Sequence, residues 1–122
     1  ILATLLSNID KNIPFFITRT PPVTILQERI YQNKLDKGFN VTDLNKEFCL
    51  LYGEVAEAYE AHRKKKEDFG LELADIAIYL LGIAEITGVD LEQEILKKME
   101  INEQREYQQV DGVLIKFEPR EK

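Results

Sequence analysis

The sequence is poor in the residues that make disulfides and zinc sites. Its 122 residues include no tryptophan, one histidine (His62) and one cysteine (Cys49). One cysteine cannot form a disulfide within the chain, which excludes the small secreted proteins that are held together by disulfides. A protein of the reducing cytoplasm is therefore expected.

Positive charge and long apolar runs are also scarce. The chain has 16 basic against 22 acidic residues, a net charge of −6, which repels the phosphate backbone of nucleic acids and anionic membrane surfaces. The apolar run at the N-terminus is short and polar residues interrupt it, so we expect neither a signal peptide nor a membrane span. Small phosphorylated ligands stay possible, because a bound metal ion inverts the local sign of the charge.

Four segments of the sequence have the apolar spacing of helices. They span about residues 22–37, 42–63, 68–87 and 90–105. We predict one all-α domain over residues 1–122, a bundle of four to five helices. It would comprise an N-terminal arm (1–20), a helical core (21–106) and a short extended tail or hairpin (107–122) with a turn at Asp111-Gly112.

The third segment is apolar on nearly every side, which is typical of a helix enclosed by its neighbours. On the second segment, the residues expected to form the buried face are Leu44, Phe48, Leu51, Val55 and Ala58. So small a domain commonly covers a remaining apolar face with a partner chain, so a homodimer or homotetramer is expected.

Two pairs of carboxylates lie at the edge of these apolar faces. Glu54 and Glu57 are one turn apart on the second segment, and Glu72 and Asp75 are one turn apart on the third. Burying uncompensated like charges costs several kcal/mol per ion, so the groups either take up protons or bind cations. Oxygen ligands without thiolates or nearby imidazoles favour magnesium, with manganese or calcium as alternatives, over zinc. A di-iron site requires Glu-x-x-His, but Tyr59 is three residues before His62.

The stretch GEVAEAYEAHRKKKEDFGLELADIAIYLL, followed by GVDLEQEILKKMEINEQR, resembles the MazG-like all-alpha nucleoside triphosphate pyrophosphohydrolases and their ExxE…ExxD motif. The resemblance covers about residues 42–107. It implies an all-helical fold, assembly as dimers or tetramers, and magnesium-dependent cleavage of (deoxy)nucleoside triphosphates to monophosphate and pyrophosphate. It also implies that Lys98 and Asn102 contact the substrate.

The sequence departs from the family pattern at one place. Leu50 and Leu51 occupy the positions where that pattern has two adjacent glutamates. Glu57 could supply the missing ligand. Glu47 is a weaker substitute and is expected to be an ordinary acid at the start of a helix, where the helix dipole favours one.

The predicted function is therefore hydrolysis of nucleotides by Glu54, Glu57, Glu72 and Asp75, which would hold magnesium and activate a water that attacks the α phosphorus. One alternative keeps this chemistry but resembles the related phosphoribosyl-ATP pyrophosphohydrolases. The other alternative is a catalytically silent helical module for oligomerisation or regulation, in which Leu50 and Leu51 have abolished the metal site.

Overall fold

The computed structural model describes residues 22–117, which form four helices followed by a two-stranded sheet. The elements are α1 (Val23–Lys37), α2 (Leu44–Arg63), α3 (Phe69–Ile86), α4 (Leu91–Gln104), β1 (Glu106–Val110) and β2 (Val113–Phe117). The chain is thus mostly helical, as the apolar spacing predicts. The predicted N-terminal arm lies outside the described residues. None of the helices in the described part is long and apolar enough to cross a membrane.

Local sequence explains where the helices begin and end. Gly38 follows α1 with a φ of 71°, a left-handed conformation that glycine adopts without steric cost. Asp43 caps α2 by accepting a hydrogen bond from the backbone N–H of Lys46. Asp90 caps α4 in the same way, through the N–H of Gln93. These caps satisfy backbone groups that would otherwise have no partner.

Helix α3 packs against both α2 and α1, whereas α4 contacts α1. The short connection 64–68 joins α2 and α3 into a helical hairpin. Within residues 22–117, the buried apolar residues are Ala58 and Ala61 of α2 and Ile83 and Ala84 of α3.

Two sequence-based expectations about burial need correction. Helix α3 is not fully enclosed, because only α1 and α2 pack on it extensively within residues 22–117, and Leu71 and Leu73 are exposed. The buried face of α2 is rotated relative to the prediction, since Phe48 and Val55 are exposed while Glu47 is buried. This rotation is possible because the charge of the buried Glu47 is balanced by Lys34 of α1.

A buried amide fixes the start of α1 against the other helices. The Gln27 side chain donates hydrogen bonds to a Glu85 carboxylate oxygen at 2.9 Å and to the Val89 carbonyl at 2.6 Å. Its carbonyl oxygen accepts from the backbone N–H of Leu91. One side chain thus links α1 to the end of α3 and the start of α4.

The predicted extended tail is a β-hairpin. Strands β1 and β2 pair antiparallel, with Val110 opposite Val113, and the turn residues Asp111 and Gly112 both have positive φ values. This is the conformation that an Asp-Gly pair favours in a two-residue hairpin turn. All ten strand residues are exposed.

Candidate functional site

The helical hairpin brings three of the four predicted carboxylates together. Glu54 and Glu57 are one turn apart on α2, and Glu72 is in the first turn of α3. One carboxylate oxygen from each of the three lies within 4.8 Å of the others. These three residues are called the acidic cluster below.

Asp75 lies beside the acidic cluster, one turn after Glu72. Its charge contributes to the raised pKa of both Glu54 and Glu72. It also lines an open cleft together with Glu54. The structure therefore places all four predicted metal ligands in one neighbourhood, with Asp75 on the cleft side.

The acidic cluster is electrostatically unbalanced. Burial raises the pKa of Glu54, and the nearby charges of Glu57 and Asp75 raise it further. Burial also raises the pKa of Glu72, followed by the charges of Asp68 and Glu57. One buried oxygen of Glu54 and one of Glu72 have no hydrogen-bond donor. Carboxylate oxygens from three residues within this distance, two of which also have a buried oxygen without a donor, are the hard ligands that a divalent cation such as magnesium takes.

Glu47 has a different environment, although it lies on the same inner face of α2. Its side chain is 2% exposed and forms an ion pair with Lys34 of α1. It does not belong to the group of oxygens that the acidic cluster brings together. Glu47 is in the first turn of α2, as the sequence indicates, but it is buried against a cation from another helix.

The open cleft lies between α1 and α3 and has a volume of about 740 Å³. Its polar lining residues are Arg29, Asn33, Lys34, Glu54, Asp75 and Tyr79. The remaining lining is mostly aliphatic and includes Leu26, Ile30 and Ile78. Its volume falls within the range of pockets that enclose small organic ligands.

Tyr79 stands between the acidic cluster and the Lys34–Glu47 pair. Burial raises the pKa of its hydroxyl, and the charges of Glu54 and Glu47 raise it further. The Lys34 ammonium lies 5.7 Å from the centre of the Tyr79 ring. The hydroxyl therefore keeps its proton at neutral pH and can donate a hydrogen bond.

The structure does not bring Lys98 and Asn102 to this cleft. Both are exposed on α4, and neither is among the residues that line the cleft. Their role in substrate binding stays a prediction from the resemblance.

Sequence reasoning missed Lys34. Leu26, Ile30 and Lys34 are spaced by four residues and lie on one face of α1, and all three line the cleft. A lysine that continues an apolar row at helical spacing signals a buried cation that has an acidic partner elsewhere in the chain.

No family model matches the chain, and no curated protein or solved structure matches it. The resemblance of residues 42–107 to the MazG-like enzymes therefore stays a prediction. Inference about function depends on the acidic cluster, Asp75 and the cleft beside them.

Proposed function

We propose that this protein is a magnesium-dependent pyrophosphohydrolase that cleaves (deoxy)nucleoside triphosphates to monophosphate and pyrophosphate. The observation that carries the proposal is the acidic cluster, in which oxygens of Glu54, Glu57 and Glu72 lie within 4.8 Å of one another. Two of its side chains have a buried oxygen without a donor. An external cation would satisfy these oxygens and relieve the repulsion between them.

Glu54, Glu57, Glu72 and Asp75 would hold the magnesium ion or ions, with manganese as the alternative. When bound, magnesium supplies charge neutralisation at the phosphates and lowers the pKa of water. Glu57 is the exposed member of the acidic cluster, which favours it as the general base that takes the proton of the attacking water. Tyr79 also lines the cleft, and its protonated hydroxyl would serve as a hydrogen-bond donor to the ligand.

The cleft supports a nucleotide as the substrate, rather than inorganic polyphosphate. Glu54 and Asp75 connect it to the acidic cluster, and its aliphatic walls can cover a nucleoside. A ligand placed with its phosphates at Glu54 and Asp75 would have the rest of the cleft available for its base and sugar.

The exposed apolar residues of α3 support self-association as a dimer or tetramer. The helix is apolar on nearly every side, and its residues Leu71, Leu73 and Leu80 are 72%, 48% and 43% exposed. Leaving such residues in water forgoes about 1.5–3 kcal/mol for each side chain that could be fully buried. Sedimentation velocity across a range of concentrations would test this part of the proposal, and a monomer at all concentrations would contradict it.

The decisive experiment is to incubate the protein with a panel of nucleoside triphosphates, with and without magnesium, and to separate the products. We expect monophosphate and pyrophosphate, formed only when magnesium or manganese is present. Release of orthophosphate and diphosphate would contradict attack at the α phosphorus.

Two variants sharpen the result. Glu72→Gln removes one charge from the acidic cluster and should abolish turnover. Glu60→Gln is the matched control, because Glu60 is an acid of α2 that pairs with Arg63 and Lys64 at the surface; it should retain activity. Absence of turnover together with absence of magnesium affinity in the wild-type protein would favour the silent module.

A further inference from the structure

The α1 side of the cleft carries a cation and an amide that have no role in the proposed reaction so far. Arg29 and Asn33 are four residues apart on α1, so they lie one above the other on the same face of the helix. Both line the cleft that also contains Glu54 and Asp75. A cation and an amide therefore border the same space as two of the carboxylates.

Of the two cations on this wall, Arg29 is the one available to a ligand. Lys34 is held in the buried ion pair with Glu47. Arg29 forms no ion pair within residues 22–117, and its side chain is exposed. A guanidinium that has no ion-pair partner within residues 22–117 and borders a partly apolar cleft can bind an anionic ligand there.

The chemistry of the two side chains suits a phosphate chain. A guanidinium offers five N–H donors in a planar fork that matches phosphate oxygens two at a time, and it stays charged at any ordinary pH. The asparagine amide adds two N–H donors. A triphosphate that approaches several carboxylates needs positive charge beyond the metal, and α1 provides it from the other side of the cleft.

We propose that α1 supplies the phosphate-binding side of the substrate cleft, with Arg29 binding the phosphate chain and Asn33 assisting one turn further along. This inference rests on the proposed function and names the residues that bind its substrate. It places the cation and the amide that bind the substrate on α1, whereas the resemblance places them on α4, at Lys98 and Asn102.

The test measures binding and turnover separately. Binding of a nucleoside triphosphate analogue with a non-hydrolysable α,β bridge, in the presence of magnesium, is followed by calorimetry. Turnover is followed by pyrophosphate release. The variants are Arg29→Gln, Arg29→Lys and Asn33→Ala, and Lys98→Gln tests the assignment to α4. Lys97→Gln is the matched control, because Lys97 is a surface lysine of α4 that pairs with Glu94.

We expect Arg29→Gln to weaken analogue binding and to raise KM by about tenfold or more, the value of one or two hydrogen bonds to a charged group. Its kcat, its magnesium affinity and its melting temperature should stay close to those of the wild type, because Arg29 is exposed and lies outside the acidic cluster. Arg29→Lys should recover part of the loss. Asn33→Ala should have a smaller effect, and the control Lys97→Gln none.

Unchanged KM and unchanged analogue binding in Arg29→Gln would overturn the inference while leaving the proposed function intact. A large rise in KM for Lys98→Gln alone would assign substrate binding to α4 and would also overturn it. If the wild-type protein binds the analogue but hydrolyses no nucleotide, the proposed function fails and Arg29→Gln still tests the binding site. If the wild type binds no analogue at all, both proposals fail.

Discussion

Helix α2 carries a buried acid, Glu47, and a half-buried acid, Glu54, on the same face, and their charges are treated in opposite ways. Glu47 is neutralised inside the protein by Lys34. Glu54, seven residues later, has no ion-pair partner within residues 22–117 and lies instead among other carboxylates. The charges of carboxylates from both regions raise the pKa of Tyr79.

The difference distinguishes a residue whose charge is balanced within the fold from one whose charge an external cation would balance. A buried ion pair that is complete within the chain leaves little for an external ion to do. A group of carboxylates that has no cation destabilises the metal-free protein, and binding of a cation raises the stability of the folded state. A missing hydrogen-bond donor would not have separated these two cases, because each region contains a buried carboxylate oxygen that has no donor.

The largest expected effect is on activity. Glu72→Gln should lower turnover by more than about a hundredfold, since even residues that merely orient metal ligands contribute up to about that factor. The same change should raise the melting temperature of the metal-free protein, because it removes one of several repelling charges. Assay and thermal melt are done on one preparation, and a lower melting temperature would show that Glu72 is a structural ion-pair residue.

The next prediction concerns Glu57, the residue proposed in place of the glutamate that the MazG-like pattern has at the position of Leu51. Glu57→Gln should cost as much activity as Glu54→Gln, because both side chains belong to the acidic cluster. Glu47→Gln should change kcat little once the amount of folded protein is accounted for. A greater loss of kcat in Glu47→Gln than in Glu57→Gln would mean that the ligand set is wrong.

The next effect concerns stability at the other region. Glu47→Gln leaves the Lys34 ammonium buried without a counter-charge, and we expect a loss of about 3–5 kcal/mol in the free energy of unfolding, measured with urea. Replacing both partners, as in Lys34→Met with Glu47→Leu, should recover most of that loss. Glu60→Gln, which breaks only surface pairs, should cost at most about 1 kcal/mol. Equal losses for the buried and the surface change would remove the contrast between the regions.

The pH dependence should follow the acidic cluster. Since Glu54 and Glu72 have pKa values raised above their ordinary 4.5 in the folded protein, the folded state binds their protons more tightly than the unfolded state does. The stability of the metal-free protein should therefore decline as the pH rises through these raised values. Magnesium needs the ionised carboxylates, so the rise in melting temperature on adding it should be larger near pH 7.5 than near pH 5. An equal rise at both pH values would argue against binding at these two residues.

The smallest effect tests the packing around Lys34. A methyl group added at Gly82 of α3 would lie 3.7 Å from side-chain atoms of both Ile30 and Lys34, which is ordinary contact. Gly82→Ala should therefore stabilise the protein by up to about 1 kcal/mol through helix propensity. Gly38→Ala is the opposing control, because a φ of 71° should make it destabilising by about 1–2 kcal/mol. Destabilisation by Gly82→Ala would indicate that α1 and α3 pack too closely at Ile30 and Lys34 to accommodate the added methyl group.

Local patterns predicted the helices and the carboxylate pairs, because both depend on residues close in sequence. Gly38, Asp43 and Asp90 end or cap helices as their residue types indicate. The partnership of Glu47 with Lys34 could not be predicted from α2 alone, since the cation belongs to another helix. For the same reason the sequence placed Phe48 on the buried face.

The position of the cleft could not be predicted from the sequence either. The pattern of a cation and an amide spaced by four residues occurs twice, at Arg29 and Asn33 and at Lys98 and Asn102. Only packing distinguishes the two pairs, because α1 rather than α4 lies along the cleft. The resemblance selected the second pair, and the structure places the first on the cleft that Glu54 and Asp75 also line.

The five-residue connection between α2 and α3 also affects the order in which the chain folds. Contacts within this hairpin join residues that are near in sequence, so closing it costs little chain entropy and it can form early. The docking of α1 depends on distant contacts such as Gln27 with Glu85, 58 residues apart. We therefore expect the hydrogen bond between Gln27 and Glu85 to form late in folding, whereas Lys34 and Glu47, which are 13 residues apart, can meet early. Loss of the Gln27 bond should mainly accelerate unfolding and leave the folding rate nearly unchanged.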